Sequence, residues 1–193
     1  MTILNLGGGT KQFDGALNVD ITPGDGVDIV ADLSAYPWPW PDSSVDGIHI
    51  SHVIEHFPDP APIIRECHRV LKKGGFLRIV VPHCSSLSSV GCIGHYRTYS
   101  ADTLHRYLDQ RGRHDCYLFH DIQFKTQYYY LNWLWEEAAE HGYVNFPAWS
   151  RGILPVTNYT LTKIINISHR MFERFYWPLT GGASEVVWKG IKV

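Results

Sequence analysis

Short apolar runs broken by Gly, Asp and Pro make up the first part of the chain, the pattern of buried parallel strands joined by crossovers. Ile3 to Leu6 predicts a first strand that runs straight into Gly7-Gly8-Gly9. Ala16 to Val19 predicts a second that stops at Asp20, and Val27 to Ala31 a third that stops at Asp32. Between them, Thr22-Pro23-Gly24-Asp25-Gly26 has the composition of a turn. The alternating prolines of Tyr36-Pro37-Trp38-Pro39-Trp40-Pro41 exclude both a helix and a central strand. Asp46 leads into a fourth strand, Gly47 to Ser51. Asp59 and Pro60 then mark a helix start, since an Asp accepts from free backbone amides and a Pro in the first turn gives up no hydrogen bond. Ile63, Ile64, Cys67, Val70 and Leu71 recur on one face of that helix. Lys72 and Lys73 suit the negative end of its dipole, and Gly74-Gly75 is expected to end it before a fifth strand, Phe76 to Val81, closed by Pro82. Strand, helix, strand at this spacing implies a right-handed crossover in a parallel sheet.

The second half is less regular. Ser100 is placed to cap a helix carrying Leu104, Tyr107 and Leu108, and Asn132 another carrying Leu134, Trp135 and Ala138 that ends near Gly142. Tyr117 to Tyr130 has strand character, Leu161 to Tyr176 reads as a helix, and Glu185 to Val193 as a terminal strand after Gly181-Gly182. With no repeat, low-complexity tract or linker, residues 1–193 are expected to form one domain.

Composition narrows the function. The 193 residues are 45% hydrophobic, enough for one core, and the net charge of −2 gives no broad basic surface for a nucleic-acid backbone. No apolar run approaches the ~20 residues that cross a bilayer, so a cytoplasmic chain with no membrane association is expected. Cys67, Cys84, Cys92 and Cys116 are too scattered for a disulfide framework and are expected to be free thiols. An aromatic share of 13% exceeds what this core needs and points to a stacked ligand or a partner surface, a homodimer included.

The chemistry concentrates at strand ends. A glycine turn after the first strand lets backbone amides approach a ligand, an acid ending the second strand can take the two hydroxyls of a ribose, and one after the third can accept from an adenine amine. Gly7 to Gly9, Asp20 and Asp32 fill those places. A dinucleotide is disfavoured, because Gly7-Gly8-Gly9-Thr10-Lys11-Gln12 lacks the third glycine of the dinucleotide fingerprint and Asp20 follows too soon for a full intervening helix. Histidines 52 and 56, or His83, Cys84, Cys92 and His95, can be drawn as a zinc site, but neither set has paired ligand spacing, and no metal is expected.

The ordered series Leu4-Asn5-Leu6-Gly7-Gly8-Gly9, Asn18-Val19-Asp20, Ala31-Asp32-Leu33, Pro41-Asp42-Ser43-Ser44-Val45-Asp46, Ser51-His52-Val53-Ile54-Glu55-His56 and Arg69-Val70-Leu71-Lys72-Lys73-Gly74-Gly75 resembles the class I S-adenosylmethionine-dependent methyltransferases, in particular a small subgroup with a shortened first crossover. The likeness covers roughly residues 3 to 82 closely and the second half loosely. It implies an α/β, Rossmann-like sandwich, mostly parallel with an antiparallel last strand. About 1–82 would form the cofactor-binding half and about 83–193 the acceptor side.

It also implies that Gly7, Gly8 and Gly9 pass under the methionine end of S-adenosylmethionine and that Asp20, with Ile21, holds the ribose. Asp32 and Leu33 would hold the adenine, with Ser51 and His52 beside the amino group and sulfonium. His83 and His52, each just past a strand end, are the candidate bases if the acceptor starts protonated. Glu55 is expected to cap or hydrogen-bond a loop, and Arg97 to pair with an acidic acceptor or a surface carboxylate. The Trp38-Pro39-Trp40 segment and the aromatics Tyr128, Tyr129, Tyr130, Trp133 and Trp135 are expected in an acceptor pocket or in the core. The activity expected is methyl transfer to a small-molecule or sugar acceptor. The alternative is a degenerate methyltransferase fold kept as a binding or partner subunit.

Overall fold

The computed structural model describes residues 1–109, 119, 121–132, 160, 162–168, 172 and 183–193. Seven strands form one sheet: β1 (Ile3–Leu6), β2 (Leu17–Asp20), β3 (Ile29–Val30), β4 (Val45–Ser51), β5 (Leu71–Pro82), β6 (Phe124–Asn132) and β7 (Glu185–Lys192), in the order β3-β2-β1-β4-β5-β7-β6. The first five pair in parallel, and β7 inserts antiparallel between β5 and β6. This is the mostly parallel sheet with an antiparallel last strand that the resemblance implies. The helices that pack with it include, among the described residues, α1 (Ala61–Val70), α2 (Leu87–Gly91) and α3 (Ala101–Leu108).

The best-read elements are those with a clean local pattern. In α1, Ile63, Ile64, Cys67 and Val70 are buried against Ile48, Ile50, Leu77 and Ile79 of the sheet. Asp59 accepts the Ala61 amide at 3.0 Å, and Pro60 leads the first turn. In α3, Ser100 and Thr103 form a capping box, and Leu104 and Leu108 face inward.

The structure departs from the sequence reading in several places. Helix α1 ends at Val70, and Leu71 already belongs to β5, so Lys72 and Lys73 do not terminate it. Lys72 to Gly75 instead bulge out between the pairs Val45–Leu71 and Gly47–Phe76, with Gly74 at φ +81° and Lys72 paired to Asp46 at 2.8 Å. Besides Arg69 in its last turn, the helix C-terminus is met by Lys192 of β7, whose Nζ donates to the carbonyls of His68 and Leu71 at 2.6 and 2.7 Å. A residue 121 positions on from Leu71 does what the adjacent lysines were expected to do. Asn132 ends strand β6 rather than opening a helix. The helix expected after it, with Trp133 and Trp135, lies outside the described residues. Of the expected helix over 161–176, residues 162–165 are helical and the chain turns at 166.

No helix forms between β1 and β2. The crossover that the sequence compresses into Lys11 to Gly15 crosses as turns, and Phe13 lies on the sheet instead. Its ring stacks on His49 of β4 with centroids 4.8 Å apart, and His49 meets Phe76 edge-on at 5.1 Å. Burial, then the nearby Arg78 and Lys189 charges, pushes the His49 pKa down to about 4. The folded protein therefore holds this ring neutral while the unfolded chain takes up a proton below about 6.5. Stability is expected to fall as pH drops from about 6.5 toward 4, by about 2 kcal/mol after allowance for partial exposure of the ring. Urea unfolding of the protein and of His49→Phe, each at both ends of that window, checks this, since the variant should show a shallower loss.

Candidate active site at the strand ends

The strand order reverses direction between β1 and β4, and the residues singled out from the sequence cluster along that carboxyl edge. Gly7 follows β1, Asp20 ends β2, Asp32 follows β3, Ser51 ends β4 and His52 follows it.

The glycine turn is held from below by a buried asparagine pair. Asn5 Nδ2 donates to Asn18 Oδ1 at 2.9 Å and to the Lys11 carbonyl at 2.8 Å, and Asn18 Nδ2 donates to the carbonyls of Gly9 and Gly26, each at 2.8 Å. Sequence reasoning gave these asparagines no role beyond the resemblance, although a polar residue inside an apolar strand is itself the signal of a buried network. The glycines differ in what they require. A side chain at Gly8 would collide with both asparagines, and one at Gly7, where φ is +67°, would meet Val53. Gly9, at φ +54°, faces open space. Gly8→Ala is expected to destabilise the fold by about 2 kcal/mol through displacement of the Asn5–Asn18 pair, read as a lower melting temperature.

Asp20 anchors the far side of the turn. One carboxylate oxygen accepts the Gly9 amide at 2.8 Å and the other the Thr22 amide at 2.9 Å. An ionised carboxylate offers about four acceptor positions, so two remain for a diol. Ile21 is 63% exposed beside it. Asp32 is solvent-exposed, and its carboxyl is held below the usual carboxylate range by hydrogen bonds from the Ser34 hydroxyl and amide. The Leu33 side chain is buried in the core, and its carbonyl accepts from the Trp38 indole at 3.1 Å. A glycine cradle open above Gly9, flanked by a half-committed carboxylate, fits the methionine and ribose portions of S-adenosylmethionine. Asp32 is accessible to an adenine.

The two histidines proposed as bases sit in confined places. His52 adopts a left-handed backbone, φ +55°, and its ring bridges two buried acids, with Nε2 2.9 Å from Glu185 and Nδ1 3.4 Å from Glu55. Burial alone would lower its pKa, yet the hydrogen bonds and charges of Glu185 and Glu55 outweigh it and raise the ring to about 9. With a carboxylate on each nitrogen, the ring has no lone pair facing an acceptor. Glu185 also accepts from Asn132 Nδ2 at 3.0 Å, tying β4, β6 and β7 together. This pair is a further feature the sequence reading missed. Its signal was a Glu and an Asn inside apolar strands. His83 is wholly buried at the end of β5, with Nδ1 2.7 Å from the Ser85 hydroxyl.

Other candidates take structural places. Trp38 is buried, its amide donates to Glu66 at 2.7 Å, and Arg69 reaches its carbonyl, so the aromatic segment serves the core. Tyr129 stacks on His105 of α3 at 4.7 Å, while Tyr128 is 40% exposed. Arg97 donates twice to the Pro58 carbonyl, at 2.9 and 2.7 Å, and among the described residues pairs with no carboxylate. Cys67, Cys84 and Cys92 are free thiols, and Cys116 lies outside the described residues. Among the described residues no helix is long and apolar enough to cross a membrane. A cavity of about 400 Å³ opens between the 3₁₀ turn Ile54–His56, the start of α1 and α3, lined by Ile54, Ala61, Ile64, Leu104 and Tyr107 among others and by none of the strand-end residues above.

Comparison with known proteins agrees with this architecture. Residues 11–79 match the family described as a methyltransferase domain. Two proteins of Mycobacterium tuberculosis described as probable S-adenosylmethionine-dependent methyltransferases are 38% identical over 89 residues, 42% of this chain and 32% of theirs. The chain thus aligns with about a third of the length of these curated relatives. Among solved structures, a SAM-dependent methyltransferase from Archaeoglobus fulgidus superposes with a TM-score of 0.61 at 19% identity, over 99% of this chain and 86% of that one. A protein solved in complex with the Haloferax volcanii Trm112 methyltransferase activator superposes with a TM-score of 0.53 at 18% identity, over 99% of this chain and 82% of that one. Together these findings bear out the resemblance read from the sequence.

Proposed function

We propose that this chain, a class I methyltransferase by domain and fold, binds S-adenosylmethionine along the carboxyl edge of β1, β2 and β4 and transfers its methyl group to a small-molecule or sugar acceptor. The observation that carries the reading is the Gly7–Gly9 turn with Asp20: a rigid turn open above Gly9 beside a carboxylate with acceptor capacity to spare.

The bound cofactor would supply an already activated methyl group, so the protein's share is binding, orientation and exclusion of water. Asp20 would hold the ribose diol and Asp32 the adenine amine, and the Gly7–Gly9 backbone would lie along the methionine portion. Two buried acids and one imidazolium at Glu55, Glu185 and His52 leave a net negative charge beside that edge, which favours a cationic ligand. With both His52 nitrogens engaged and His83 buried, in-line positioning of the acceptor rather than a histidine base is the main contribution. The mostly apolar 400 Å³ cavity beside Ile54 and the net charge of −2 favour a small acceptor over a nucleic acid.

Calorimetric titration with S-adenosylmethionine and S-adenosylhomocysteine tests the cofactor half of this reading. Transfer of labelled methyl to a panel of sugars and small hydroxy- and amino-compounds, with tRNA as comparison, tests the acceptor half. Failure to bind either cofactor form, together with stoichiometric association with another protein, would favour the partner-subunit reading. The helix-free first crossover is the observation that keeps this alternative open.

A further inference from the structure

Two adjacent residues, Glu55 and His56, meet a third from a distant loop, His95, beside the strand edge. The left-handed backbone of His52 leads into the 3₁₀ turn Ile54–His56, which points Glu55 inward to complete burial and leaves His56 at the surface. The segment 92–97 folds back over that turn. The Tyr96 amide donates to the Glu55 carbonyl at 2.8 Å, His56 Nδ1 donates to the Gly94 carbonyl at 3.1 Å, and Arg97 closes on Pro58. His95 is thereby brought edge-on to His56, with ring centroids 4.7 Å apart.

Glu55, His56 and His95 each present one ligand atom, and these three atoms lie within 4.8 Å of one another. Glu55 is fully buried; His52 Nδ1 stands 3.4 Å from its Oε1 as an ion-pair partner, and Oε2 has no hydrogen-bond donor among the described residues. The buried Nδ1 of His95 is likewise without a partner. Unpaired polar atoms of this kind are rare in folded proteins and call for an ion or a ligand. The Glu55 carboxylate was expected to cap a loop. The loop is held instead by the Glu55 backbone, and the side chain, paired with His52 through Oε1, keeps Oε2 for a further partner.

We propose that Glu55, His56 and His95 form a binding site for a divalent transition-metal ion of the zinc type. Two imidazoles and one carboxylate are a borderline donor set that suits Zn²⁺, and three protein ligands leave a position open for water or substrate. The Gly94 carbonyl acts as the outer partner that such sites use. By accepting the Nδ1 proton it fixes the tautomer of His56 and leaves Nε2 as the donor atom. Bonds of about 2.0–2.1 Å require the three atoms to close by on the order of an ångström. That movement falls to exposed His56 and the segment bearing His95. The ion would bind the side of the Glu55 carboxylate that His52 leaves open and staple residues 92–97 to the connection between β4 and α1, independently of whether the chain transfers methyl groups.

The test uses full-length protein stripped with a chelator, titrated with ZnCl₂ by calorimetry and with Co²⁺ by visible absorption, whose band intensity reports four-coordinate geometry. One equivalent of each metal is expected. His56→Ala and His95→Ala, checked for folding by circular dichroism, should each weaken it at least about tenfold, while His105→Ala on α3 leaves it unchanged. Absence of a stoichiometric site, or an affinity that neither variant alters, overturns the proposal. Because metal binding is read directly, its failure is distinguishable from a failure to bind S-adenosylmethionine.

Discussion

Asp20→Ala is expected to weaken S-adenosylmethionine binding roughly a hundredfold while leaving a folded protein. Two charge-assisted hydrogen bonds to a diol contribute about 1.5 kcal/mol each or more. Losing both is about 3 kcal/mol, or some two decades in Kd. The same carboxylate also accepts the amides of Gly9 and Thr22, at 2.8 and 2.9 Å, so the variant loses local order in the turn as well. Both amides are near the surface, where water replaces the lost acceptor, and the cost to stability should stay near 1 kcal/mol. Asp20→Asn separates the two roles: it keeps one acceptor oxygen for the turn but lacks the charge, so its affinity should fall between those of wild type and Asp20→Ala. Calorimetry with S-adenosylmethionine, alongside a thermal melt, reads both quantities. An Asp20→Ala protein with wild-type affinity would remove the basis for placing the ribose at β2.

The largest effect on stability is expected at the other side of the same edge. Glu185 is buried, bridges His52 at 2.9 Å and accepts the amide of buried Asn132 at 3.0 Å. Glu185→Ala strands an imidazole and an amide in the interior, and breaking one partner of a buried pair costs about 3 kcal/mol or more. For a domain of this size that corresponds to a melting temperature lower by roughly 10 °C. Glu185→Gln keeps the shape and the acceptor oxygen and should lose less than half as much. Urea unfolding of the three proteins checks the order. Equal stability of wild type and Glu185→Ala would mean that the tie between β4, β6 and β7 is energetically idle.

The strands and helices that the sequence reading located well are those whose signal lies within a few neighbours. Alternating or continuous apolar runs located β1, β4 and β7, and the spacing of Ile63, Ile64, Cys67 and Val70 defined α1. The candidate site was legible for a related reason. In a parallel sheet, the residues just past each strand end share one edge, so Gly7 to Gly9, Asp20, Asp32 and His52 could be brought together from strand order alone. The sequence pattern carried less information where several places suited a residue equally well. Trp38 fits a ligand pocket or a core by composition, and burial with its amide on Glu66 decided for the core. Lys72 and Lys73 satisfy the rule for a helix end, yet the bulge at Gly74 turned them away.

By itself, then, the sequence determined the parallel part of the sheet, the first crossing helix and the edge that carries the candidate site residues, because backbone hydrogen bonding and hydrophobic periodicity are local and recur with fixed spacing. The tertiary structure alone decided which distant side chains meet. Glu185 reaches His52 across 133 positions, Lys192 caps α1, and His95 folds back on Glu55 and His56. Those encounters depend on how loops return over the sheet and on which buried polar groups must find partners, and no periodicity along the chain records either.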